Sequence, residues 1–171
     1  MGRYILGTPR LTLEEVDVNH LESLIDLLTN KKVHKYFPKT LNKTEALQFY
    51  NKMQVRYHDN GYGLWAVLLK PKNRFIGICG LVSQLIDNQT EVEVGYRFLD
   101  SFWGNGYATE AAKGSITYAQ DILNLESIIS LIRDINLPSI KVAKRNGLHF
   151  EKDTIFGGSP HRIYRKMLLR K

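Results

Sequence analysis

The stretch from Val94 to Ala111 constrains this chain more than any other. Aliphatic and aromatic residues run to Leu99 and stop at Asp100-Ser101. A short loop with Gly104 and Gly106 follows, and an alanine-rich segment opens at about Ala108. Strand, glycine turn and helix start, in that order, build an anion site from backbone alone. The first N–H groups of a helix have no intrahelical partner, and the helix dipole adds partial positive charge there. Glycines let a phosphate come close to the main chain. The stretch therefore reads as a seat for a phosphorylated ligand.

The rest of the pattern supports an α/β chain. Leu11 to Glu15 reads as a first strand. Val18, Leu21, Leu24, Ile25 and Leu28 recur at helical spacing behind Asp17, a residue that can cap a helix. Asn42 with Glu45 resembles a capping box. The helical spacing of Ala46, Leu47, Tyr50, Met53 and Tyr57 follows it, and Asn60-Gly61 stops it. Three strands, 64–69, 75–85 and 91–99, are separated by the turn residues Pro71-Lys72-Asn73 and Asp87-Asn88-Gln89. After the glycine loop, Ala108, Ala112, Ser115, Ala119 and Ile122 give one buried helical face. Residues 127–132 form a continuously apolar strand, the kind covered on both faces. Pro138 suits a helix start and Gly147 a helix end. Strands at 148–155 and 163–169 close the pattern around Gly157-Gly158-Ser159-Pro160. The expectation is one mixed α/β domain spanning residues 1–171, with a mostly antiparallel central sheet of about seven strands and helices on both faces.

Composition narrows the function classes. The chain has 171 residues, a length for one domain with a real core. No apolar stretch approaches a membrane span, and the N-terminus leads into no signal-like segment. A cytoplasmic protein is expected. The formal charge of +7 comes from scattered basic groups, not from a basic run or an aromatic RNA-binding motif. Nucleic acid is therefore not the expected partner. The one cysteine, Cys79, excludes an internal disulfide and a cysteine-based zinc site. It sits in an apolar strand and reads as a buried structural thiol. The five histidines show no metal spacing, so no metal is expected. The sequence leaves oligomeric state open, a homodimer included.

Three phosphate-binding loops fit a strand–glycine–helix pattern. A nucleoside-triphosphate loop needs Gly-Lys-Ser/Thr, which is absent. A dinucleotide loop needs a third glycine or alanine where Thr109 stands, and an early βαβ unit. The third is a coenzyme A loop. Trp103-Gly104-Asn105-Gly106-Tyr107-Ala108 matches the Gln/Arg-x-x-Gly-x-Gly/Ala motif of the GNAT acetyltransferase superfamily from Gly106 to Ala108, and departs from it at Trp103. Trp-Gly-x-Gly-Tyr-Ala-Thr-Glu-Ala resembles the RimJ/RimL-type branch, which acetylates protein N-termini and small amines. The resemblance covers nearly the whole chain in order.

That resemblance implies acetyl-CoA as cosubstrate and a primary amine as acceptor. The loop residues Trp103, Gly104, Asn105, Gly106, Tyr107, Ala108 and Thr109 would bind the pyrophosphate. Phe98 and Leu99 would pair with the pantetheine amides, and Asn136 would hold the pantetheine arm in a gap between two splayed strands. Lys144 or Arg145 would meet the 3′-phosphate. Ser139 matches the small polar residue three positions after the family asparagine. The tyrosine that many members place seven positions after it is here Ala143, so tyrosine acid catalysis from that position is excluded. Ser139 or a water is left to protonate the departing thiolate.

The acceptor amine must lose a proton, and a carboxylate can take it. Glu91 and Glu93 lie two apart and share one face of the motif strand. Glu93 is nearer the gap and is the expected base. A coenzyme A-binding module without turnover is the competing reading of the same loop.

Overall fold

The computed structural model describes residues 1–169; the last two residues of the expected domain lie outside the described residues. Eight strands form one sheet, not seven. In chain order they are β1 (Tyr4–Gly7), β2 (Leu11–Glu15), β3 (Leu64–Leu69), β4 (Arg74–Ile86), β5 (Gln89–Phe98), β6 (Ser127–Arg133), β7 (His149–Phe156) and β8 (Ser159–Met167). The helices are α1 (Leu21–Leu28), α2 (Lys43–Asn60), α3 (Tyr107–Asp121) and α4 (Leu137–Arg145). The spatial order is β1-β2-β3-β4-β5-β6-β8-β7. Every neighbouring pair is antiparallel except β5 and β6.

The extra strand is β1, which pairs with β2 at the sheet edge. Four half-exposed residues are too few to show an alternating pattern. The helix expected from Val18 also divides. Asp17 accepts from Asn19 N–H at 2.9 Å and donates its own N–H to His20 Nδ1 at 3.1 Å, tightening 18–20 into a 3₁₀ turn ahead of α1. The last strand starts earlier than expected. Gly157 and Gly158 both have positive φ, at 56° and 76°, and make a two-residue hairpin turn alone. Ser159 and Pro160 are thereby released into β8, where Pro160 lies beyond the last position paired with β6.

Local chemistry explains the long helices. In α2, Asn42 Oδ1 accepts from Glu45 N–H at 2.9 Å, and Glu45 returns a bond of 2.9 Å to Asn42 N–H. Gly61 ends that helix at φ 73°. α3 presents Ala111, Ala112, Ser115, Ile116 and Ala119 to the sheet, and these mostly small residues let it sit close.

The helices cover both faces. Cys79 Sγ on β4 lies 3.6 Å from Ser115 Oγ on α3, and Tyr96 on β5 donates to Ser139 C=O on α4 at 3.1 Å. On the other face, Tyr57 of α2 donates to Leu64 C=O, and Phe49 of α2 lies against Arg97 of β5. The core between these layers is fully buried at Trp65, Ile76, Ile78 and Leu81.

Leu81→Ala removes a side chain with no exposed surface from the centre of β4. It should destabilise the fold by about 2–5 kcal/mol. In urea denaturation the midpoint should fall while the slope holds.

Candidate functional site

β5 and β6 pair at one register position only, Glu93 opposite Ile129, and then separate. The hydrogen bonds show how. Leu99 N–H donates to Ile76 C=O at 3.0 Å, so alternate β5 residues back to Glu93 face β4. The backbone groups of Val94, Tyr96 and Phe98 therefore face β6. A continuing ladder would send Leu131 N–H to Val94 C=O. Instead Leu131 N–H faces the Glu93 carboxylate, and Val94 C=O receives only Ser130 Oγ, at 3.4 Å. The ladder stops and the strands part.

A cavity of about 360 Å³ fills the gap and passes from one face of the sheet to the other. Glu93, Gln84, Arg56, Phe37 and Phe49 line it on the α2 side. Tyr96, Ser130, Asn136 and Ser139 line it toward α4. Three residues singled out in the sequence, Glu93, Asn136 and Ser139, thus share one cavity although 43 residues separate the first two.

The glycine loop opens at the end of β5. Gly104 and Gly106 take φ 76° and 78°, the left-handed region that side chains disfavour. A Cβ on Gly104 would meet nothing within 4 Å, and one on Gly106 would meet only Arg10 Nη2, at 3.5 Å. The loop is an open cradle. Gly106 is the N-cap of α3 and supplies no side-chain cap. The N–H groups of Tyr107, Ala108 and Thr109 thus keep the free donors that an anion would take. The residues present fit a pyrophosphate.

Trp103, where the motif has Arg or Gln, has a different task. Its indole N–H donates to Phe98 C=O at 2.9 Å. The bonds at this end of β5 correct the expectation for Leu99 and leave Phe98 N–H available for it. Phe98 C=O is taken by Trp103, Leu99 N–H by Ile76, and Leu99 C=O accepts from Phe102 N–H at 2.9 Å. Phe98 N–H and the backbone of Tyr96 are the groups that face the gap.

Arg10 is the residue that sequence reasoning missed. Its Nη1 donates to Asn105 C=O at 2.9 Å, its Nε binds Glu110 at 2.6 Å, and its guanidinium lies 4.6 Å from the Tyr107 ring centroid. Glu110 also accepts from Thr8 Oγ1 at 2.6 Å. A cation from the β1–β2 turn thus clamps the loop and stands beside Gly106. Only the sheet topology brings it there; Glu110, a carboxylate in the first turn of α3, was the one available hint.

On the α2 side, the burial of Glu93 pushes its pKa up to about 7. Gln84 Nε2 at 3.0 Å, Leu131 N–H, Arg97 and Arg56 oppose that rise. Glu91 behaves differently. Arg165 grips it with two bonds of 2.6 and 3.0 Å and also binds Glu151, so Glu91 is a structural ion-pair partner. Arg97 lies 4.0 Å from the Phe37 centroid and donates to His34 Nε2 at 2.9 Å. His34 Nδ1 donates to Asn30 C=O at 3.0 Å, and burial lowers the pKa of the ring, which stays neutral. This chain of contacts holds Arg97 in place near Glu93.

On the α4 side, Asn136 Oδ1 caps the helix by accepting from Ser139 N–H at 3.2 Å, which leaves its amide NH₂ for the cavity. Ala143 is buried and offers no acid. The Tyr96 hydroxyl is committed to Ser139 C=O, and burial raises its pKa. Lys144 and Arg145 are exposed at the end of α4 that Asn146 ties to Thr109 C=O at 3.3 Å. Cys79 is fully buried and its thiol is pushed up to about 12 by that burial. A thiol so placed is neither exposed nor readily ionised. Among the described residues, no cluster of three potential metal ligands occurs and no helix is long and apolar enough to cross a membrane.

Comparison with known proteins identifies the family and the fold. The model of the acetyltransferase (GNAT) domain matches residues 10–149. The protein YkkB of Bacillus subtilis is 33% identical over 162 residues, covering 94% of each chain. An acetyltransferase from Agrobacterium tumefaciens superposes with a TM-score of 0.82 at 23% identity, over 94% of this chain and 92% of its own. The self-immunity acetyltransferase MccE, solved with acetyl-CoA and AMP, superposes with a TM-score of 0.76 at 19% identity, over 94% of each chain. These two solved structures share the fold.

Gly106→Val puts a branched side chain in the cradle at a left-handed φ. Coenzyme A affinity by calorimetry should fall more than about a hundredfold, the loss of several charge-assisted bonds. Unchanged affinity in a folded variant would contradict the loop placement. Cys79 should resist an aromatic disulfide reagent in the native protein and react only on unfolding.

Proposed function

The chain belongs to the GNAT acetyltransferase family, and from that premise we propose that it moves the acetyl group of acetyl-CoA to a primary amine by direct attack in a ternary complex. The observation that carries this reading is the single cavity through the strand gap, with the base candidate Glu93 on one side and Asn136 and Ser139 on the other.

Each residue has a task in this reading. The loop from Trp103 to Thr109, clamped by Arg10, holds the pyrophosphate. The Asn136 amide and the outward backbone of Tyr96 and Phe98 hold the pantetheine arm. Lys144 or Arg145 meets the 3′-phosphate. Acetyl-CoA supplies an acetyl carbon activated by its thioester. Tyr96 N–H faces the gap and polarises the thioester carbonyl, an oxyanion-type contribution. Glu93 takes the amine proton, directly or through water. The amine nitrogen bonds to the acetyl carbon, the carbon–sulfur bond breaks, and Ser139 or a water returns a proton to sulfur.

A pKa near 7 suits the base. Its ionised form is accessible near neutrality, and it gives up its proton readily between turnovers. The buried, inert Cys79 supports direct transfer over a covalent intermediate. A coenzyme A-binding module without turnover would bind the cofactor and release no thiol with any amine.

The pH dependence tests the base. Glu93 works ionised, so kcat/KM should rise with pH through about 7. In Glu93→Gln that limb should vanish. Turnover at pH 7 should fall about 10²–10⁴-fold, while coenzyme A affinity holds, and residual activity should climb only toward the amine's own pKa. An unaltered profile would remove Glu93 from the reaction.

A further inference from the structure

The acceptor side of the cavity is basic. Arg56 from α2, Arg97 from β5 and Arg133 from β6 line it, against the single carboxylate of Glu93. Four guanidiniums elsewhere in the fold face a carboxylate: Arg165 holds Glu91 and Glu151, Arg10 holds Glu110, Arg3 holds Glu15 and Arg162 lies beside Asp153. Among the described residues, Arg56, Arg97 and Arg133 have no carboxylate within 4.0 Å. Arg97 is held by His34 and two phenylalanines. Arg133 is not: its Nε is buried and has no hydrogen-bond partner.

A buried donor left without an acceptor is costly, and a charged one more so. A fold tolerates that where a ligand completes the bond. Arg133 shares a face of β6 with Ile129 and Leu131, the face that packs against Ile86, Ile163 and Phe156. Leu131 N–H faces Glu93. Arg133 begins two residues further along, roughly 6.6 Å of strand. A molecule whose amine meets Glu93 therefore reaches Arg133 with a group a few bonds away. A planar guanidinium takes a carboxylate through two parallel N–H···O bonds. Tyr36, Phe37 and Phe49 supply apolar wall for the remainder.

Resting on the acetyl-transfer reading, we infer that the acceptor is a primary amine bearing a carboxylate a few bonds from its nitrogen, of amino-acid size, with the carboxylate seated on Arg133. A polyamine would bring more positive charge beside three guanidiniums and is disfavoured.

The test measures acceptor binding and turnover separately. Phenylalanine, leucine, glutamate and 4-aminobutyrate are titrated calorimetrically into the protein saturated with coenzyme A, beside their carboxamides, spermidine and a peptide amide beginning with Glu. At least one free carboxylate should bind tenfold or more tightly than its carboxamide, and Arg133→Gln should reduce that ratio to near one. A second variant, Arg133→Lys, should retain part of the ratio, which separates a charge effect from misfolding. Binding by the Glu-led peptide amide alone would place the carboxylate on a peptide side chain instead and overturn the amino-acid size. Acids and carboxamides binding alike, or spermidine binding best, would overturn the seat itself. Thiol release from acetyl-CoA is then read with the tightest acid. Binding without thiol release would leave the seat standing and contradict acetyl transfer.

Discussion

The parting of β5 from β6 is the constraint on which the rest depends. Parallel strands normally continue once they pair, because each step satisfies two more backbone groups. Here the next donor, Leu131 N–H, faces the Glu93 carboxylate, and Val94 C=O falls to the Ser130 hydroxyl. One side chain thereby ends a ladder. The polar backbone of Tyr96 and Phe98 is left facing a gap, where unpaired groups would be expensive without a ligand to pair them. A linear amide-bearing arm is the kind of ligand that such an edge accepts.

The same carboxylate links the two faces. Burial beside the gap raises its pKa, while Gln84, Arg97 and Arg56 keep the ionised form within reach. In the proposed reaction, the structural cost of opening the sheet and the chemical need for a base near neutrality fall on one residue. Around it the fold is braced at a distance: Tyr96 to Ser139 across the gap, Arg165 to Glu91 below it, and Asn146 to Thr109 between the two helix ends. Asp87, in the β4–β5 turn, accepts from Lys152 and Thr154 of β7 at 2.7 and 3.0 Å and pins that hairpin toward the acceptor side.

Much of this was legible in the chain. The capping box at Asn42, the glycine loop and the Asn136–Ser139 cap are local, with few ways to satisfy their backbone groups, so their sequence signs are strong. The position of Glu93 at the strand gap was legible from strand parity. What sequence could not give was long-range. Arg10 meets a loop 95 residues away, and nothing near it in the chain announces that. Leu99 was expected at the ligand, but one residue of strand parity turns it to β4, since register decides which edge each amide faces. β1 was too short to show a period. The role of Trp103 became visible only when its indole was found on Phe98 C=O, where it closes the end of the strand. Nothing in the sequence marks Arg133, whose Nε is buried and unpaired in the fold.

The protonation of Glu93 is the most direct probe of the whole arrangement. The side-chain carboxyl carbon, labelled with ¹³C and followed by NMR across pH in the free protein, reports it without turnover or an acceptor. A midpoint near 7 is the expected result, the value set by burial at the strand gap. A midpoint in the ordinary glutamate range, about 4.3, would mean that the carboxylate is solvated, and the account of the gap and its base would be wrong.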